Sequence, residues 1–147
     1  MDASPNPGHP QVQADIAFAA VITRARRQPF EWGVHDCVVF AAAAVQAVTG
    51  RQVLEELQLA PAWRTAGQAA SAIESVGGLR VALGSLFGPP VPILRACAGD
   101  VALVQDPQHP SRELLAVVHH GALLAPSEAG LAVFATSHAL AAWSVRA

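Results

Sequence analysis

The chain has 147 residues, 52% of them hydrophobic, and a formal net charge of −2. That length suits one domain with a real core, and a charged fraction of only 14% excludes a disordered chain. The charge balance offers no basic field to nucleic acid. The longest unbroken apolar run, Cys37 to Val45, is far short of the roughly 20 residues that a membrane span needs.

Two cysteines are too few for a disulfide framework, so a reducing compartment is compatible. The opening "MDASPNPGHPQVQ" has an acid, three prolines and no basic stretch, which is not a signal-peptide pattern. Residues 1–13 are expected to form a flexible or docking N-terminal arm, with residues 14–147 as a single domain. From Ala14 to Arg27, Phe18, Val21, Ile22 and Ala25 recur at i, i+3, i+4 and i+7, which predicts an amphipathic helix. Pro29 stands where it should stop. Arg24, Arg26 and Arg27, at its end, read as a solvated basic terminus.

Asp36 to Thr49, "DCVVFAAAAVQAVT", predicts a second helix. Asp36 is a good N-cap and Gly50 suits the position after the last turn. A helix apolar all round is expected to be buried on all sides. Gly67 to Val76 predicts a third helix, ended by Gly77-Gly78. Leu79 to Phe87 is readable as helix or strand, because short apolar runs carry no decisive period. "FGPPVPI" is an extended connector, since prolines lack a donor and push their predecessors out of the helical region.

The character then changes. Val101 to Val104, Leu114 to His119, Ala122 to Ala125 and Leu131 to Ala135 are short apolar segments separated by turn formers. They predict a small antiparallel sheet, with a helical turn over Ser137 to Ala142 before Trp143. Helices first and strands afterwards define an α+β domain.

Cys37 is the residue on which function turns. In the first turn of a capped helix, unpaired N–H groups and the dipole favour an anion, one route to a reactive thiolate. The adjacent Asp36 carboxylate opposes this unless its charge is spent on backbone N–H groups. Cys37 therefore reads two ways, as a small core residue or as a nucleophile.

A nucleophile needs a base, normally histidine. His9 falls in the arm, His109 in a polar loop, and His138 in a surface turn. His35 is too near in sequence to face Cys37 and is expected to shape the turn. His119 and His120 end the strand-like run "LLAVVHHGALLA", and adjacent strand residues point to opposite faces. One of the pair should face the core side, where a buried helix could present Cys37. Cys97 reads as structural, and Asp100 as the residue that fixes the turn into the first strand. No Cys-x-x-Cys or His-x-x-x-His spacing is present, so neither a metal site nor another cofactor is expected.

Together "WGVHDCVVFAAAAV", "AGDVALV" and "VVHHGALLA" resemble the NlpC/P60 branch of papain-like cysteine peptidases. More narrowly, "PFEWGVHDCVVFAAAAVQAVTG", "GDVALV", "AGLAVF" and "AAWSV" look like the small phage- and prophage-encoded proteins of tail gene clusters, and are similar to the phage-associated DUF6950-type family. The resemblance covers the chain from about residue 14. It implies a papain-like NlpC/P60 fold, in which a buried Cys-bearing helix packs on a small antiparallel sheet.

By matching positions it makes Cys37 the nucleophile and His119 the general base, with Asp36, His120, Ser127 and Glu128 as possible supporting residues. A second register, taking Gly121 as the glycine that ends the strand, puts Leu115 at the histidine position. The implied role is a tail-tip or tail-assembly protein of the virion tail, made in the host cytoplasm and contacting other tail-tip or hub proteins. The alternative is an active Cys–His peptidase or amidase that cleaves peptidoglycan peptide as a phage crosses the envelope.

Overall fold

The computed structural model describes residues 8–146. Helix α1 runs Pro10–Ala25, with Pro10 at its start and the exposed His9 ring accepting a hydrogen bond from the Gln11 N–H at 3.1 Å. Proline's fixed φ is already helical, and its missing N–H would be unpaired there anyway. The expectation of an arm over residues 1–13 is corrected accordingly. It gives way to helix at Pro10, and residues 1–7 lie outside the described residues.

Phe18, Ile22 and Ala25 form the buried stripe of α1, as their spacing predicts. Burial of Phe18 or Ile22 stabilises the domain by about 2 kcal/mol each on area grounds. Helix α2, Cys37–Thr49, is capped by Asp36 and closed by Gly50 at φ 77°. Its buried residues are Phe40, Ala41, Ala44 and Val45, whereas Ala43 and Gln46 are exposed. The expectation of burial on all sides fails on that one stripe. Elsewhere the alanines let α1 and the sheet approach closely.

The short α3, Val53–Glu56, and α4, Ala66–Ser75, follow. Leu79–Phe87 resolves as helix α5, started after Gly77-Gly78, and Ala82 and Leu83 carry its buried face. The Pro-rich connector leads through a 3-10 turn, Ile93–Arg95, to the sheet. There β1 is Val101–Gln105, β2 Glu113–His119, β3 Ala122–Ser127, β4 Gly130–Ala135 and β5 Ala141–Trp143.

All pairings are antiparallel and the order is β4-β3-β2-β1-β5. The turn expected over Ser137 to Ala142 is only Thr136–His138, because Ala141–Trp143 is drawn into the sheet by pairing with β1. Among the described residues the chain is therefore α+β, five helices packed with a five-stranded antiparallel sheet.

The sheet has a core on each face. Leu103, Leu115, Val117 and Leu124 meet Phe18, Phe40, Ala44 and Val45 on the helical side. Ala102, Val104, Ala116, Val118 and Leu123 meet Val91, Ile93 and Phe134 on the other. Cys37 packs against both clusters, where they join.

Gly99 opens β1 at φ 92°, and a Cβ there would sit 2.6 Å from a Val48 methyl. Only glycine lets the turn come this close to α2. The buried Asp100 accepts hydrogen bonds from the N–H groups of Cys97 and Val145, tying the turn to the last residues of the chain.

Candidate functional site

The site is built from the Asp36 side chain outward. Its Oδ1 accepts from the Val39 N–H at 2.9 Å, the N-cap bond expected from the sequence. Its Oδ2 accepts from the Gly33 N–H at 2.8 Å and from the Trp63 indole N–H at 2.7 Å. Three donors thus hold a carboxylate that is 1% exposed. Gly33 adopts φ 79°, and a Cβ there would collide with the Trp63 carbonyl, so the "WG" lead-in serves close contact with the Trp63 loop.

His35 is buried in the same turn, edge-on to Phe40. Burial depresses its pKa, against the Asp36 charge and a hydrogen bond to the Ala25 carbonyl. It shapes the turn, as its place in the sequence predicts.

Cys37 follows the cap, and its thiol lies against β2 at Leu115. Burial pushes the thiol pKa up to about 11, and the Asp36 and Asp106 carboxylates push in the same direction. Backbone hydrogen bonds from Leu115 and from Cys37 itself favour the thiolate; a group that does so is a donor, hence an N–H. They do not offset desolvation. At neutral pH the sulfur is a thiol.

His119 is elsewhere. It lies four residues further along β2, about 13 Å at strand spacing. There it packs edge-on against Phe18 at 5.9 Å, and its ring lies 4.0 Å from that of His120, tilted by 58°. Its pKa is lowered by burial first, then by His120 and Arg26. His120 and Gly121 take φ 47° and 72°, the two positive values of a tight β2–β3 hairpin. The "HHG" run is the corner of that hairpin, and the structure does not bring either imidazole to Cys37.

The β2 residue beside the thiol is Leu115, as the second register reads it. The β2–β3 pairing runs from His119–Ala122 to Val117–Leu124, and continuing it puts Pro126 across from Leu115. Neither residue can accept or relay a side-chain proton. Ser127 donates its hydroxyl to the Gly130 carbonyl within the β3–β4 turn.

Cys37 opens onto a trough of about 830 Å³, walled by Phe30, Trp32, Trp63, Ile73, Leu114 and Leu140. Ser127 and Glu128 line it, but His119 and His120 do not. Two lining residues lay outside the sequence reading. Asp106 follows β1, accepts from the Gln108 N–H and lies 3.5 Å from the Arg112 guanidinium; the buried Arg112 Nε has no partner among the described residues. Their signal was an acid and a base bracketing the Pro-rich hairpin loop "DPQHPSR".

Among the described residues no cluster of three or more His, Cys, Asp or Glu side chains is placed to hold a metal ion. No described helix is long and apolar enough to cross a membrane.

This is an α+β domain in which a capped helix presents a protonated cysteine to an apolar trough. The chain belongs to the family described as a domain of unknown function, DUF6950, whose model matches residues 11–145. No curated protein and no solved structure matches it.

Proposed function

We propose that this chain is a tail-tip or tail-assembly component of a phage, prophage or gene-transfer-agent-like particle. It keeps an NlpC/P60-like, papain-like fold as a binding scaffold, and its trough holds a partner without cutting it. The order of Asp-Cys helix, Gly-Asp strand and following apolar strands supports the fold assignment. One observation carries the scaffold role. The Leu115 backbone lies against the thiol, at the β2 position where the family resemblance in its second register puts the base, and the thiol is protonated at working pH. Loss of one member of a catalytic constellation removes most of its rate.

The test is an in-frame deletion of the gene in a particle-producing host, complemented by wild type or by Cys37→Ala. Deletion is expected to give particles with defective tails in electron micrographs, and both complementing genes should restore them. Normal particles without the protein would overturn the assembly role. Rescue by wild type alone, with Cys37→Ala folded and expressed, would favour the peptidase that cleaves peptidoglycan peptide.

A further inference from the structure

The trough has an uneven charge. Its lining carries five carboxylates, those of Asp36, Glu74, Asp106, Glu113 and Glu128, against the single cation of Arg112. Most of these are already engaged. Asp36 is spent on three N–H groups, Asp106 lies beside Arg112, and Glu113 accepts from Arg80 at 2.9 Å. Glu74 on α4 and Glu128 in the β3–β4 turn remain, and neither has a hydrogen-bond or ion-pair partner among the described residues.

The trough is also long. A second depression of about 670 Å³ adjoins it, shares Phe30, Trp32 and Glu128, and adds Glu31 and Arg64, whose guanidinium donates to the Pro61 and Trp63 carbonyls. The pair exceeds what one compact small ligand fills. Apolar, aromatic walls with unpaired carboxylates at the rim match a chain segment that alternates apolar and cationic side chains.

We propose that this trough docks an extended segment of a partner protein, rich in apolar residues and arginine or lysine, with Glu74 and Glu128 taking its cations. The proposal rests on the scaffold reading above, since a protonated Cys37 at the floor leaves the bound segment intact. Rim charges of this kind set specificity and encounter rate more than total affinity. Anionic segments are repelled.

The test uses the full chain and two fluorescein-labelled probes, a Leu-Arg-Val-Arg-Leu amide and the same peptide with glutamate for arginine. Fluorescence anisotropy should show the arginine probe binding at least about tenfold tighter than the glutamate probe, with the difference shrinking as salt rises. Combining E74Q with E128Q should weaken the arginine probe about fivefold or more, whereas E55Q, an exposed acid remote from the trough, leaves it unchanged.

No binding, equal binding of the two probes, or an unaffected double variant overturns the docking proposal and leaves the scaffold reading standing. Mass spectrometry of the recovered probe separates the two ideas. An intact probe is expected; cleavage by wild type that disappears in Cys37→Ala overturns the scaffold reading even where charge-dependent docking persists.

Discussion

The two ends of β2 each meet one half of what a cysteine enzyme needs, a thiol at one and an imidazole at the other, and they do different work. At the Leu115 end the strand meets a capped helix, a half-buried thiol, two carboxylates and a trough. At the His119 end it meets Phe18, Arg26 and a tight turn. A nucleophile and a base on the right elements make a catalytic pair only when the strand position also matches, and here the mismatch is four residues. Chemistry along a strand is a matter of register before residue type.

The largest effect should come from the cap. Asp36→Ala leaves the N–H groups of Gly33, Val39 and Trp63 without their acceptor in a buried site. The loss in unfolding free energy should be about 3–5 kcal/mol in a denaturant titration, because buried donors left unpaired cost more than the bonds were worth. His119→Ala at the other end should cost far less. Equal losses would mean that the Cys37 end is held by packing alone.

Leu115→His should turn one end of the strand into what the other end only suggests. An imidazolium beside the sulfur lowers a thiol pKa by roughly 1–3 units, so alkylation of Cys37 at neutral pH should rise about 10- to 1000-fold. The measurement belongs in a Cys97→Ser background, because Cys97 is exposed. A folded variant with unchanged labelling would place the thiol away from Leu115.

Much of this was legible before the fold. Asp36 and Gly50 announce the two ends of α2, because capping chemistry is local. The Gly99-Asp100 step into β1 and the strand segments were equally readable from glycine, acid and apolar runs. Two features were not. Alternation along "LLAVVHH" says that Leu115, Val117 and His119 share a face, yet not which of them meets α2; that depends on the hairpin at His120-Gly121. Trp63 as a partner of Asp36 lies 27 residues away in an irregular loop, and no period points to it. The early start of α1 was hidden because a histidine cap and a leading proline look like loop composition.

The thiol also makes an alkaline prediction. Its folded pKa of about 11 lies above the unfolded value, so the folded state keeps a proton that the unfolded chain loses. Stability is then full below about pH 8.5 and falls as pH rises toward 11, by about 2–3 kcal/mol in all. The chain has no tyrosine, and all nine of its basic residues are arginine, so few other side chains titrate in that window. With Cys97→Ser as the parent, adding Cys37→Ala should flatten the fall. A fall that survives the substitution would show that Cys37 is not desolvated.

The smallest effect belongs to the other end of β2, and its sign is opposite. The pKa of His119 is depressed, mainly by burial and then by His120 and Arg26, so on acidification the unfolded chain takes a proton before the folded one does. Stability contributed there is present above about pH 6.5 and lost as pH falls below it. The buried His35 is depressed too and shares that acid loss, which is why the change at His119 alone is modest.

His119→Leu should reduce the slope of stability between pH 7 and pH 5, with a shift at pH 8 within about 0.5 kcal/mol. It should leave the labelling rate of Cys37 untouched, since the thiol's neighbours are Leu115, Asp36 and Asp106. A change in that rate on removing the imidazole would couple the two ends of the strand after all, and would restore His119 to the site.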